Sequence, residues 1–154
     1  MITFQLESWE QYFSDPEREG LWREHYEEFE PAHEHKMPMG PDVELYSAAA
    51  RLGQLLILVA RKEGKMVGYC LVFVRRHIHY ASLCAFEDSY FLTKTERRGR
   101  TRIDLIKMTI EACRQRGAVR LYFMTKEFLS ISRILKYLDF APIDTVHAIW
   151  LEKK

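Results

Sequence analysis

Residues 83–115, LCAFEDSYFLTKTERRGRTRIDLIKMTIEACRQ, combine three local patterns that decide the fold class of this chain. The aromatic and apolar run Leu83–Leu92 predicts a β-strand. A charged turn follows, and from Ile103 onward apolar residues recur at helical spacing until Gly117 ends the predicted helix. A strand, a basic turn and an amphipathic helix in direct succession predict a strand–helix–strand unit, in which parallel strands pair and the helix covers the sheet.

The flanking segments complete a mixed sheet with helices. The sequence predicts a helical stretch over residues 7–29 with a break at Ser14–Pro16, a helix over 43–52 capped by Asp42, a hairpin of strands 55–60 and 66–74, a strand over 119–125, a helix over 129–138 and a closing strand over 146–151. The predicted fold class is therefore α/β: a central mixed β-sheet flanked by helices and splayed between Leu83–Leu92 and residues 119–125.

Length and composition indicate one globular domain, residues 1–154, with a mainly helical part up to residue 53. The chain has 154 residues, of which 47% are hydrophobic and 29% charged. No apolar run is long enough for a membrane span. The first ten residues, MITFQLESWE, carry acids where a signal peptide needs bases, so none is expected. Cys70, Cys84 and Cys113 lie singly in apolar segments and are predicted to be reduced core residues of a cytoplasmic protein.

The net charge of +1 conceals a strong asymmetry along the chain. Residues 1–46 hold twelve acids and three bases, a net −9, whereas the remainder holds 20 bases and 10 acids, a net +10. One end therefore favours cationic partners and the other anionic ones, with simple solvation as the alternative. A sequence pI near 7.8 and the acidic N-terminal third argue against nucleic-acid binding.

The turn before the predicted helix is the clearest candidate site. It carries five bases against one acid, namely Lys94, Arg97, Arg98, Arg100 and Arg102 against Glu96. A helix N-terminus offers free backbone N–H groups and the positive end of the helix dipole, to which arginines add bidentate donors. The turn is thus predicted to bind a phosphate group, the alternative being a solvated basic loop.

Three segments resemble the GCN5-related N-acetyltransferases. The hairpin at residues 59–69 (VARKEGKMVGY) is similar to the second and third strands of that family. Residues 92–99 (LTKTERRG) resemble the end of its fourth strand and its pyrophosphate loop, and residues 135–140 (LKYLDF) resemble its C-terminal signature. Three further matches, at residues 25–28 (HYEE), residues 77–80 (HIHY) and Asp88, resemble a subset of small acetyltransferases often encoded by phages.

The resemblance implies acetyl-CoA as cosubstrate, bound where the fourth and fifth strands splay apart. The residues it assigns to cofactor binding are Leu92, Arg97, Arg98, Gly99, Arg100, Thr101 and Arg102. The family's loop places glycines where this chain has Arg100 and Arg102, and Gly99 lies one position early. The arginines either crowd the amide cradle or supply side-chain contacts to the phosphates. Leu135 occupies the position of the family's frequent tyrosine acid.

Glu87 and Asp88 are the candidate catalytic residues. Transfer of an acetyl group to an amine needs a base for the amine proton, and these two are the acids within Leu83–Leu92. Neighbouring strand residues point to opposite faces, so only one of the two can face a given cleft. The alternative is a pair of solvated acids.

The candidate acceptor site is lined by histidines, aromatic residues and an acid: His25, Tyr26, Glu28, His77, His79 and Tyr80. We expect these residues and the catalytic carboxylates to form one cleft that admits a protonated amine. The alternating pairs His77/His79 and His33/His35 would also suit zinc if they lay on strands. No cysteine joins them, and no metal is expected.

Two classes of function remain after the sequence is considered. The first is an acetyl-CoA-dependent N-acetyltransferase acting on a small-molecule or protein amine, as a monomer or homodimer. The alternative is a catalytically degenerate protein of the same fold that acts as a protein-binding module, for example as a phage-encoded effector of a host protein. Nucleic-acid binding through the basic turn and helix is the weakest reading.

Overall fold

The structure is a computed structural model and describes residues 1–29, 38–126 and 131–151. Its strands are β1 (Ile2–Leu6), β2 (Leu55–Lys62), β3 (Lys65–Arg76), β4 (Leu83–Leu92) and β5 (Leu121–Tyr122). Its helices are α1 (Trp9–Phe13), α2 (Arg18–Phe29), α3 (Val43–Arg51), α4 (Thr101–Gln115) and α5 (Ser132–Tyr137), and a 3₁₀ turn lies at Lys94–Glu96. None of the helices in these described ranges is long and apolar enough to cross a membrane.

The five strands form one mixed sheet in the order β1-β2-β3-β4-β5. The first three pairings are antiparallel, and β4 pairs with β5 in parallel. Strands β2 and β3 are joined at Glu63 and Gly64, whose φ angles of 51° and 82° match the two-residue hairpin turns that suit twisted strands. The predicted hairpin, mixed sheet and β4–β5 neighbourhood are confirmed.

Apolar residues cover both faces of the sheet, which places helices on each side. One core joins α1 and α2 to the sheet through Trp9, Tyr12, Leu21, Trp22, Ile57, Val59, Met66, Tyr69, Leu71 and Phe91. The other packs α4 on the opposite face through Leu56, Leu58, Cys70, Val72, Val74, Ala85, Leu105, Ala112 and Cys113. All three cysteines are free and buried, as predicted.

The helix boundaries follow local signals. The side chain of Asp42 accepts a hydrogen bond from the Leu45 N–H at 2.9 Å, so the predicted cap of α3 is confirmed. Gly117 adopts a φ of 81° just beyond α4, as the predicted helix end requires. The predicted helix over 129–138 corresponds to α5, and its expected first residues lie outside the described part of the chain.

Three predictions about strands are wrong. Strand β1 was not expected, because its five residues are recognisable only through their pairing with β2, so the first 53 residues also contribute to the sheet. The predicted strand 119–125 is too long: Val119 and Arg120 hydrogen-bond to the backbone of β4 and Leu121 and Tyr122 pair with it, but the pairing ends at Tyr122. Residues 146–151 form no strand, and Val146, Ile149 and Leu151 are 84%, 82% and 88% exposed. Their β-branched pattern has no neighbouring strand to pair with in the described structure.

Candidate active site

A β-bulge at Asp88 directs the two candidate carboxylates of β4 to different surroundings. Leu71 of β3 lies opposite Ser89 and Val72 lies opposite Glu87, so Asp88 is the extra residue on its strand. A bulge bends a strand and re-aims its side chains. The predicted separation of the two carboxylates is thereby confirmed in their contacts: Glu87 reaches toward β5, and Asp88 reaches α3.

The Glu87 carboxylate lies where β4 and β5 stop pairing. Backbone pairing ends at Phe86 and Tyr122, and two residues later the Met124 N–H donates to Glu87 Oε2 at 3.1 Å. Glu87 is only 4% exposed. Burial raises its pKa to about 8; the Met124 hydrogen bond opposes this rise and the charge of Asp88 adds to it. Glu87 is therefore mostly protonated at neutral pH.

Asp88 is the more accessible carboxylate and is held by a tyrosine. The Tyr46 hydroxyl donates to Asp88 Oδ2 at 2.5 Å. The Tyr46 ring is fixed between Trp9 and Phe73, with ring centroids 5.4 and 5.7 Å away. Partial burial raises the pKa of Asp88, and the Tyr46 hydrogen bond partly reverses this. Sequence reasoning missed Tyr46, because helical periodicity does not show which strand residue a helix will face.

Arg97 joins the basic turn to α2. Its Nε donates to the Leu92 carbonyl oxygen at 2.5 Å, and its guanidinium binds both carboxylate oxygens of Glu28, with Nη2 to Oε2 at 2.7 Å. The guanidinium also lies over the rings of Phe29 and Phe91, at 5.5 and 5.3 Å. Arg97 lowers the pKa of Glu28, so this pair stays ionised. Arg97, which the sequence predicts to bind a phosphate group, is thus bound to the carboxylate of Glu28.

The rest of the turn presents cationic and backbone donors. Arg98, Gly99 and Arg100 are exposed, and Gly99 adopts a φ of +64° with open space around it. No side chain caps the start of α4, and the first N–H groups of a helix have no partner within the helix. The Arg102 carbonyl oxygen accepts from the Tyr90 hydroxyl at 3.4 Å. Donors of this kind suit an anion.

His25 lies in the core between α2 and the end of β4. Its Nδ1 lies 2.8 Å from the Tyr69 hydroxyl, and its ring stacks on Phe91 with centroids 5.0 Å apart. Burial lowers its pKa to about 4, although Glu28 opposes the shift. The imidazole is therefore neutral under ordinary conditions and packs α2 onto the sheet. Tyr26, the next residue, is half-buried.

His77, His79 and Tyr80 lie in the turn between β3 and β4. The His77 ring packs against Tyr80 at 4.6 Å and near Phe86 at 6.0 Å, and the His79 N–H donates to His77 Nδ1 at 3.2 Å. These histidines are therefore on a turn and not on a strand. His33 and His35 lie outside the described residues. Within the described ranges no three His, Cys, Asp or Glu side chains could hold a metal ion.

The six predicted acceptor-site residues fall into two groups along β4. His77 contacts Phe86, whereas His25 stacks on Phe91, five residues further along β4. Five residues of a strand span roughly 17 Å. The His77 turn and the α2 residues thus lie near opposite ends of β4, and the single cleft that would join them stays a prediction.

Comparison with solved structures identifies the fold. A ribosomal-protein-alanine N-acetyltransferase from Brucella melitensis biovar Abortus 2308 superimposes with a TM-score of 0.73 at 14% identity, covering 100% of this chain and 99% of that one. The aminoglycoside acetyltransferase meta-AAC0020 from an uncultured soil metagenomic sample gives 0.71 at 17% identity, with 99% and 97% covered. AAC(6')-Iy, in complex with the bisubstrate analog CoA-S-monomethyl-acetylneamine, gives 0.66 at 16% identity, with 100% and 99% covered.

The fold is that of the GCN5-related N-acetyltransferases. At identities of 14–17% the likeness concerns the fold. No protein-family model and no curated protein sequence matches this chain. The narrower resemblance to phage-encoded acetyltransferases finds no support among these neighbours.

Proposed function

We propose that this chain is an acetyl-CoA-dependent N-acetyltransferase that transfers the acetyl group directly to an amine. The observation that carries this proposal is the point where β4 and β5 part. There the Glu87 side chain accepts a hydrogen bond from the Met124 N–H, which in a continuous parallel pair would bind a backbone carbonyl of β4. An opening of this kind gives a thioester access to polar groups of both strands. Neighbours of the same fold are named as N-acetyltransferases.

The basic turn is the proposed site for the pyrophosphate of acetyl-CoA. Its donors would be the first N–H groups of α4 and the side chains of Arg98, Arg100 and Arg102, which flank the exposed Gly99. Arg97 would act indirectly: bound to Glu28 and to the Leu92 carbonyl, it holds the turn against α2. When bound, acetyl-CoA supplies the thioester carbonyl that the amine attacks.

Asp88 is the proposed base. It is more exposed than Glu87, which is buried and whose pKa burial raises to about 8. The amine nitrogen forms a bond to the carbonyl carbon, the carbon–sulfur bond breaks, and the amine proton passes to Asp88 directly or through one water. The thiolate leaves with solvent help, and Glu87 supplies a neutral hydrogen-bonding group beside it.

One observation favours the binding-module alternative. The arginine of the predicted loop motif is bound to Glu28, and arginines replace both motif glycines. A protein that had lost cofactor binding would tolerate both changes. The binding module is therefore the second candidate function. For either candidate we propose a single domain, a cytoplasmic location and a monomeric or homodimeric state.

The experiment that separates the two candidates is ligand binding followed by catalysis. We expect acetyl-CoA and free CoA to raise the thermal midpoint and to bind in calorimetry. Thiol release is then measured with polyamines, amino acids, aminoglycosides and lysine peptides. Absence of CoA binding at millimolar concentration would overturn the enzyme proposal and favour the binding module.

A further inference from the structure

Both the backbone and the ring of Tyr46 are held in place. Asp42 caps α3, and its carbonyl oxygen accepts a hydrogen bond from the Tyr46 N–H at 3.1 Å, in the first turn of the helix. The Tyr46 ring stacks on Trp9 and on Phe73, at interplanar angles of 16° and 21°. Trp9 also stacks on Phe13 of α1. Helices α1 and α3 and strand β3 therefore fix where the Tyr46 hydroxyl lies.

That hydroxyl occupies one of the two carboxylate oxygens of Asp88. It donates to Oδ2 at 2.5 Å, whereas Oδ1 accepts no hydrogen bond and joins no ion pair within the described ranges. Asp88 is exposed, so Oδ1 is open to a molecule that approaches from solvent. Because a hydrogen bond to an ionised oxygen is short and strong, holding Oδ2 also fixes the direction of Oδ1.

The titratable groups that face Asp88 favour their uncharged forms. They come from α1, α3, β3 and β4 itself, and are Tyr12, Tyr46, Tyr69, Cys70 and Glu87. Burial raises the pKa of each of them. Burial also raises the pKa of Asp88, and the hydrogen bond from Tyr46 opposes that rise. Tyr46 thus favours the ionised form of Asp88, which is the form that accepts a proton.

We infer that Tyr46 is a positioning residue, which holds Oδ2 of Asp88 so that Oδ1 takes the proton of the acceptor amine. This inference rests on the proposed function and adds to it a residue and an atom. As the bond between the amine nitrogen and the carbonyl carbon forms, the amine proton passes to Oδ1 directly or through one water. The Tyr46 phenol keeps its own proton and its hydrogen bond to Oδ2. Asp88 then releases the proton to solvent.

The variant Tyr46→Phe tests this role, because it removes the hydroxyl and keeps the stacked ring. We expect the pKa of Asp88 to rise by about one to two pH units, the equivalent of one hydrogen bond to a charged group. Carbon-13 NMR of the Asp88 carboxyl, assigned with Asp88→Asn, measures this pKa without any acceptor. In thiol-release kinetics the acidic limb of the kcat profile should move to higher pH by the same amount. Above that limb kcat should fall about tenfold, with KM for acetyl-CoA unchanged.

Tyr137→Phe is the matched control, because Tyr137 lies on α5 and is 64% exposed. It should change neither the pKa of Asp88 nor kcat, and thermal midpoints show that each variant is folded.

A purely structural Tyr46 would give a lower midpoint for Tyr46→Phe with the Asp88 pKa and the pH profile unmoved, and this result would overturn the inference alone. A raised Asp88 pKa with an unmoved pH profile would overturn it together with the assignment of Asp88 as the base. No transfer from the wild type to any amine would overturn the proposed function and this inference with it.

Discussion

The carboxylate of Glu87 accepts a hydrogen bond from the Met124 N–H at 3.1 Å across the point where β4 and β5 part. The Glu87 side chain thus replaces a backbone carbonyl of β4 as the acceptor for an N–H of the chain that follows β5. The sheet opens there without leaving this N–H unsatisfied. This contact fixes a buried carboxyl group, whose pKa burial raises to about 8, next to the more exposed Asp88.

Replacing Asp88 should affect catalysis more than replacing Glu87. We expect Asp88→Asn to lower turnover about 10²–10⁴-fold, the usual contribution of a general base, with acetyl-CoA affinity nearly unchanged. Glu87→Gln is the matched control and should have a smaller effect at pH 7, because glutamine resembles a protonated glutamic acid. Thiol-release kinetics and calorimetry measure the two effects. Equal turnover in both variants and the wild type would exclude both carboxylates as the base.

Glu87 should make the protein less stable as pH rises. The folded-state pKa of about 8 lies above the ordinary pKa of 4.5 for a glutamic acid, so the folded state holds its proton where the unfolded chain releases it. Between pH 4.5 and 8 the free energy of unfolding should therefore fall, at up to about 1.4 kcal/mol per pH unit from this group. Urea unfolding of the wild type and Glu87→Gln across that window measures the difference. Parallel pH profiles would contradict the raised pKa.

We expect Arg100 to contribute to CoA binding and Arg97 to contribute to the stability of the fold. Arg100→Glu is expected to weaken CoA binding about tenfold to hundredfold with little change in thermal midpoint, because Arg100 is exposed and its charge would face the phosphates. Arg97→Ala should instead lower stability by about 1–3 kcal/mol, because it removes hydrogen bonds to Glu28 and Leu92. Calorimetry and urea unfolding separate the two results. Undiminished CoA affinity in Arg100→Glu would remove the basic turn from the cofactor site.

Gly68 should not tolerate a side chain. A Cβ there would meet Leu92 Cδ1 and the Phe91 carbonyl oxygen at 2.6 Å, so β3 and β4 would have to move apart. We expect Gly68→Ala to cost about 1–3 kcal/mol, as overpacking does. Gly20→Ala in α2 is the control: a Cβ there meets nothing within 4 Å, and the change should stabilise by about 0.5–1 kcal/mol. Equal unfolding midpoints for Gly68→Ala and Gly20→Ala would contradict a tight β3–β4 contact at Gly68.

Patterns within a few residues predicted the elements that local chemistry controls. The hairpin turn within residues 61–65, the cap at Asp42 and the helix end at Gly117 are each predicted from neighbouring residues, and each is confirmed. The observed turn is shorter than the predicted one, because β2 extends to Lys62 and β3 begins at Lys65. Strand β4 was predicted with its observed ends, because an aromatic and apolar run is bounded by charged residues. By the same reasoning residues 146–151 were predicted as a strand, wrongly, since a strand also requires a partner.

The contacts of the candidate site depend on residues far apart in the chain. Glu28 and Arg97 are 69 residues apart, Tyr46 and Asp88 are 42 apart, and Glu87 and Met124 are 37 apart. Residue type and local spacing marked the candidate carboxylates and the basic turn. Only chain folding decided that Arg97 binds Glu28, that Glu87 is buried and that Asp88 meets Tyr46. Those outcomes follow from strand register and helix packing, which bring distant side chains within hydrogen-bond distance and which no local periodicity encodes.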